Sequence, residues 1–326
     1  MKRKVYMPSL KKLLAVSFTL CLSAGLLPRL CAQEPEQGQT LKATVNLVNL
    51  YVTVRDNHKR IVTNLTQDDF KVSEDNQPQK IAFFSKEVTL PITLGLLLDT
   101  SGSEQNMLSA IQDAGSNFLS RVLRKGDEAM VISFDTDVNL MADFTEDPAQ
   151  LDRAVHRTRI NAPMQGGMIN PGPVPAGNVT GTALYDAIYL ACHDELASEA
   201  GRKAIVIVTD AEDEGSKVRI EEAIEAAQRT DTVIHIILVY DPRFGANTGA
   251  AKKLTEETGG RVIVGNSNKK LQEAFDEISE ELRSQYTVGY YPTNSAHDGA
   301  FRKVKVEMTN KDYKALTRKG YYAPKS

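Results

Sequence analysis

The chain has 326 residues, of which 41% are apolar and 25% charged, with a formal net charge of −3. That composition suits folded globular domains and excludes a disordered or low-complexity chain. The acidic balance, at a length that allows one large domain or two smaller ones, argues against a nucleic-acid partner, which calls for a basic face. At the start, Lys2, Arg3, Lys4, Lys11 and Lys12 precede an apolar stretch from Leu13 to Leu27, and Leu30-Cys31-Ala32 offers a cleavage site before Gln33. Residues 1–32 read as a secretory signal peptide. The apolar stretch is shorter than the roughly 20 residues of a spanning helix, so no transmembrane segment is expected after cleavage. The mature protein is expected outside the cytoplasm: periplasmic, cell-surface or released. Removing the leader takes away six basic residues (the five lysines and arginines above plus Arg29) and no acidic one, so the charge moves from −3 to −9. Cys21 and Cys31 leave with it. Cys192 then stands alone, near Leu184, Ile188 and Leu196 in a helical pattern, and is expected as a packed core thiol.

Residues 33–40 are polar and form a linker. The segment 41–90 begins with an alternating run that sets Val48, Leu50, Val52 and Val54 on one face and Asn49, Tyr51 and Thr53 on the other, the pattern of a half-buried strand. Phe70 to Ser73 and Ile81 to Phe84 bracket Glu74-Asp75-Asn76 and predict a hairpin. From 91 to 285, strand candidates (93–98, 129–134, 138–143, 203–209, 233–239, 261–264) alternate with helical stretches. Over 106–123, Met107, Ile111, Ala114, Phe118 and Val122 share a face, and over 269–283 Leu271, Phe275, Ile278 and Leu282 do the same. The alternation predicts an α/β domain, doubly wound around a mostly parallel sheet with helices on both faces. Asp135-Thr136-Asp137 is too short for a crossover, so it predicts one antiparallel edge strand. His235, inside an apolar run, is expected as a satisfied core residue. The tail, 286–326, supplies strands at 286–291, 304–308 and 316–322. Strand and helix directions bring both flanks out at the end of the sheet opposite Asp99. They are therefore expected to pair into one small β-sandwich-like domain with the α/β domain inserted in it.

The chemistry concentrates at Asp99-Thr100-Ser101-Gly102-Ser103, which follows the apolar run Ile92 to Leu98. One carboxylate and two hydroxyls at alternate positions gather hard oxygen donors at the mouth of a parallel sheet, where such folds bind ligands. Donors of this kind suit Mg²⁺ or Mn²⁺, with Ca²⁺ also open, rather than zinc or copper. The same residues serve equally as helix caps. Two later stretches add donors: Thr182 in Gly181-Thr182-Ala183, and Asp210 after the apolar run Ala204 to Val208. With them the chain resembles the von Willebrand factor A domain and its metal-ion-dependent adhesion site. The resemblance implies Asp99, Ser101, Ser103, Thr182 and Asp210 as the metal set. Ala211 stands where the family commonly has glycine. The segments LTQDDFKVSEDNQPQKI, LLLDTSGS, GTALYDAI, VTDAEDEGS and RSQYTVGYYP together resemble the secreted bacterial VWFA-related family first described from acidobacteria.

The resemblance implies divalent-cation-dependent protein binding, an Asp or Glu carboxylate of a partner protein filling an open position on the metal, with the chain itself a monomer. Asp213, between Glu212 and Glu214, reads either as part of a second cation site or as a solvated loop at a helix start. Asp186 reads as a support behind the metal or as a solvent-facing helix residue. The Gly- and Pro-rich stretch 161–181 leads into Thr182, so Gly166, Gly167, Asn170, Gly177 and Asn178 are candidate ligand-contact residues, or belong to a tolerated surface insertion. A phosphohydrolase of the haloacid dehalogenase type also starts from a strand-terminal Asp, but it needs a second Asp where Ser101 stands. An aspartic protease needs a second copy of its loop to complete a carboxylate dyad. No enzymatic activity is expected. A structural scaffold with a vestigial metal site is the remaining alternative.

Overall fold

A computed structural model describes residues 47–86, 90–160, 181–243 and 245–325. Residues 1–46, where a signal peptide and a linker are expected, and the stretch 161–180 lie outside the described residues, and with them Gly166, Gly167, Asn170, Gly177 and Asn178. The N-terminal flank supplies β1 (Val48–Arg55), β2 (Phe70–Glu74), β3 (Gln77–Gln79) and β4 (Ile81–Ser85). The α/β portion follows as β5 (Ile92–Asp99), α1 (Leu108–Val122), β6 (Glu128–Phe134), β7 (Val138–Thr145), α2 (Pro148–Arg157), α3 (Leu184–Leu190), β8 (Arg202–Thr209), α4 (Ile220–Arg229), β9 (Thr232–Leu238), α5 (Thr248–Thr258), β10 (Val262–Val264) and α6 (Asn268–Arg283). The chain closes with β11 (Tyr286–Tyr290), β12 (Phe301–Met308), β13 (Lys314–Leu316) and β14 (Gly320–Tyr322).

The central sheet has six strands in the order β10-β9-β8-β5-β6-β7. All neighbours run parallel except β6 and β7, so the short Asp135–Asp137 link does make an antiparallel edge. Every residue of β5 is buried, as expected for an inner strand covered on both faces. On one face, Ile111, Phe118 and Val122 of α1 join Leu271, Phe275 and Ile278 of α6 over Leu94, Leu96 and Leu98, with the Phe118 and Phe275 rings 4.9 Å apart. On the other face, α3, α4 and α5 bury Leu184, Ile188, Ala227 and Leu254 against Leu97, Ile205 and Ile207. Cys192 lies in this second core, and burial pushes its thiol up to about 12. The apolar stripe, rather than helix propensity, holds these short helices in place.

Both flanks contribute to each of two further sheets, ordered β13-β1-β11-β4 and β14-β12-β2-β3. Between them lies one core that includes Leu50, Val52, Phe70, Val72, Tyr286 and Val288. Glu74 of β2 accepts hydrogen bonds from Tyr290 Oη (2.8 Å) and Tyr321 Oη (2.9 Å), linking the two sheets through a buried carboxylate. The predicted hairpin is corrected in one respect. Asp75 and Asn76, at φ 47° and 66°, make a two-residue turn that pairs β2 with β3, while Ile81–Ser85 crosses to the other sheet and pairs with β11. A turn of consecutive left-handed residues reverses the chain at once, so the residues directly after it become the partner strand.

The second face of β1 is not solvated as a free sheet face would be. Thr53 is buried, and the Arg202 guanidinium of the α/β portion lies 6.0 Å from the Tyr51 ring. Nearby, Arg55 and Arg261 both bond Glu281 Oε2, at 3.0 and 2.6 Å. At Gly259, the left-handed residue ending α5 (φ 91°), a Cβ would meet Arg318 N at 2.4 Å, so the two portions touch backbone to backbone. His235, in β9, departs from expectation. It is wholly buried, but neither ring nitrogen has a hydrogen-bond partner among the described residues, and burial lowers its pKa to about 4.

Candidate metal centre

β5 and β8 are neighbours in the sheet, yet β5 leads onward to β6 on one side while β8 leads to β9 on the other. A crevice must open outside the carboxyl ends of two strands that diverge in this way. Asp99 and Thr209, the last residues of β5 and β8, stand at its floor. Asp99 is fully buried; its Oδ1 accepts from Ser101 N (2.9 Å) and its Oδ2 from Thr209 Oγ1 (2.6 Å). The loop then turns through Gly102–Glu104 and brings the Ser101 and Ser103 hydroxyls within 2.9 Å of each other.

Thr182 and Asp210 arrive from the two adjoining loops. Thr100 Oγ1 donates to Asp135 Oδ2 (3.1 Å), and the Asp135 carbonyl accepts from Ala183 N (2.6 Å), which ties the start of α3 to the Asp99 loop. On its other side, the Thr182 carbonyl accepts from Glu214 N (3.1 Å) in the loop after β8. Asp210 opens that loop, with Oδ1 accepting from Glu212 N (3.0 Å) and its carbonyl from Asn247 N (2.9 Å). Thr182 is 7% exposed and Asp210 8%, enough to reach a small ligand and too little for free solvation. The five residues implied by the resemblance thus lie on loops pinned to one another.

Ala211 has φ +62°, in the left-handed region that glycine enters without strain. Alanine therefore keeps the glycine-type backbone here, and its methyl is buried among the α4 core residues. Asp186 and Asp213 have other work. Asp186 Oδ1 accepts from Lys217 N (2.9 Å) and Val218 N (3.0 Å), and Asp213 Oδ1 from Tyr185 N (3.1 Å) and Ser216 Oγ (2.6 Å). Both acids bind the start of α3 to the 213–218 loop, so they support the position of Thr182. Glu212 and Glu214 are exposed.

Three further residues shape the crevice. Thr209 donates to Asp99 and accepts from Ala211 N (2.9 Å), so one hydroxyl sets both the acid and the loop. Asp135 braces the Asp99 loop. Glu104 is wholly buried, and neither carboxylate oxygen has a hydrogen-bond partner among the described residues. Burial raises its pKa to about 9, with the charges of Asp99 and Asp210 adding to the effect. Burial likewise lifts Asp99 to about 6, against the hydrogen bonds from Ser101 and Thr209 and with Asp210 adding. A sequence signal for Glu104 exists: it lies three residues before Met107 and seven before Ile111, so it continues the apolar stripe of α1 with a charged group.

Mutually repelling buried acids beside three hydroxyls form a hard-oxygen set that suits a divalent cation. Among the described residues, no three His, Cys, Asp or Glu side chains come close enough to hold a metal by themselves, so any ion here depends on the hydroxyls. A groove of about 670 Å³ lies elsewhere, between the α5–β10 connection and β13, and its lining includes Lys252, Lys305, Lys314 and Lys319.

A doubly wound α/β domain with an Asp-x-Ser-x-Ser loop at its switch point defines a class of cation-site domains. Residues 94–215 match the family model of the von Willebrand factor type A domain. Residues 94–215 thus carry a von Willebrand factor type A domain. Among solved structures, proximal thread matrix protein 1 from the mussel byssus superposes with a TM-score of 0.51 at 13% identity, covering 64% of this chain and 51% of that one. The chain thus spans about half the length of that relative. A second structure of the same mussel protein, with a zinc-occupied MIDAS motif, gives a TM-score of 0.50 at 13% identity over 64% and 49% of the two chains. BatB from Bacteroides thetaiotaomicron gives 0.45 at 20% identity, covering 59% of this chain and all of that one (100%). No match was found among curated proteins.

Proposed function

We propose that the protein is a divalent-cation-dependent protein-binding module of the cell envelope. Asp99, Ser101, Ser103, Thr182 and Asp210 hold the ion, directly or through its water. The three hydroxyls are neutral ligands, so the ion keeps positive charge and an open position for an Asp or Glu carboxylate of a partner. The observation that carries this reading is the convergence of loops: Asp99 is bonded to Thr209, and Thr182 lies between the loops that follow β6 and β8. A zinc-occupied motif in the mussel protein supports a divalent cation in this class of site; Mg²⁺ or Mn²⁺ is the ion proposed here. The leader at 1–32 supports export, and no helix among the described residues is long and apolar enough to cross a membrane. The flanking segments support placement in the secreted bacterial VWFA-related family. The protein acts by binding rather than catalysis, and is monomeric until it meets its partner.

Affinity capture from the native envelope with and without EDTA tests the adhesive role. Partners retained in Mg²⁺ and lost in EDTA support it, and equal retention supports a scaffold. Calorimetric titration of Asp99→Ala with Mn²⁺ tests the metal itself. Affinity equal to the wild type's would defeat the assignment.

A further inference from the structure

We infer that Glu104 is a third anionic member of the metal centre, held behind the five expected ligands and acting on the cation through a coordinated water. This rests on the metal reading above and adds a residue that the Asp-x-Ser-x-Ser pattern does not contain.

Its place in the fold carries the argument. Glu104 ends the single 3-10 turn that begins at Gly102, and its backbone is fully used: its N–H donates to the Ser101 carbonyl (3.1 Å) and its carbonyl accepts from Met107 N (2.9 Å). The residue is 0% exposed, and both side-chain oxygens lack partners among the described residues. A buried carboxyl group without partners costs several kcal/mol and is retained only where something compensates it. Among the described residues, the charged groups that act on it are Asp99 and Asp210, both of its own sign. A cation in the crevice would supply the compensation that the protein's own side chains do not.

Contact through water follows from the geometry. The acids do not converge closely enough for an all-carboxylate site. Mg²⁺ and Mn²⁺ keep several waters when only a few protein ligands are offered. A buried acceptor beside the ion then takes a hydrogen bond from such a water, as outer-shell carboxylates do in metal sites generally. The consequence is a firmer hold on the ion: Glu104 adds a buried acceptor behind it through water and leaves the open position free. The centre should therefore retain its cation without a partner's carboxylate.

The test uses the full chain and Mn²⁺ alone. Wild type, Glu104→Gln and Glu104→Met are titrated calorimetrically, and each is melted in EDTA. Loss of the charge should weaken Mn²⁺ binding about 10- to 100-fold, with Gln, which still accepts a hydrogen bond, less impaired than Met. Melting temperatures in EDTA should stay level or rise, because an uncompensated buried acid has gone. Wild-type binding with unchanged affinity in both variants overturns the role of Glu104 and leaves the five-residue site standing. Absence of Mn²⁺ binding by the wild type overturns both. A fall in melting temperature with intact affinity assigns Glu104 to structure alone and overturns the inference. Should one variant fail to fold, the other carries the comparison.

Discussion

His235 offers a quantitative test of how this core treats a charge. Burial lowers its pKa from 6.5 to about 4, with Glu281 opposing and Arg261 and Arg55 reinforcing the fall. In the unfolded chain the imidazole takes a proton as pH drops below 6.5, whereas in the folded protein it stays neutral until about 4. Over that window the unfolded state binds more protons, so stability is present at neutral pH and is lost as pH falls from 6.5 to 4. Between pH 7.5 and 4.5 this single group should remove about 2.5 kcal/mol, a large share of a typical domain's stability. The perturbation is His235→Leu, which keeps volume and eliminates two buried nitrogens without partners. At pH 7.5 the variant should be at least as stable as the wild type, since orphaned polar atoms are costly. The assay is urea unfolding of both proteins in EDTA at several pH values, read as the difference between the two curves. Groups that do not interact with His235 cancel in that difference, and of its interacting partners only Glu281 is an acid. It should grow by about 2.5 kcal/mol in favour of leucine as pH falls to 4.5. A difference constant to within about 0.5 kcal/mol would refute a neutral, water-excluded imidazole at this position.

Thr209→Val removes the donor to Asp99 and the acceptor of Ala211 N–H; it should cost about 1–3 kcal/mol in urea unfolding and weaken Mn²⁺ binding about 10- to 100-fold. Glu74→Leu leaves the Tyr290 and Tyr321 hydroxyls unpaired between the two sandwich sheets, and should cost about 2–5 kcal/mol, whereas Glu74→Gln should cost less because it still accepts from one of them. Ala211→Gly relieves a left-handed alanine, worth about 1–2 kcal/mol, but withdraws a buried methyl worth about 0.8 kcal/mol. Its thermal unfolding should therefore show a gain below about 1 kcal/mol, with Mn²⁺ affinity unchanged by calorimetry.

Much of the architecture was legible because its signals are local. Ile92 to Leu98 of β5 stand as one apolar run ahead of Asp99, and the stripes on α1 and α6 repeat at helical spacing. The Asp135–Asp137 link is too short to be anything but a reversal. The hairpin after Phe70 is ambiguous in the sequence because two following segments, Gln77–Gln79 and Ile81–Ser85, compete as partners for β2. Only the left-handed pair Asp75-Asn76 decides between them. Ala211 stands where the resembled family has glycine, but its φ of +62° is a backbone property that no residue name states.

The order of residues alone determined the doubly wound topology, the union of the two flanks and the donor types gathered at Asp99, because periodicity, strand direction and oxygen chemistry are properties of short segments. Tertiary structure decided which acids support a loop and which face the crevice. Asp186 and Asp213 spend oxygens on backbone N–H groups, Thr209 orients Asp99, and Glu104 is left without a partner. Those assignments depend on where hydrogen-bond donors from distant segments come to rest, and the field at a buried carboxylate is set by neighbours more than a hundred residues away along the chain, as Asp210 is from Glu104.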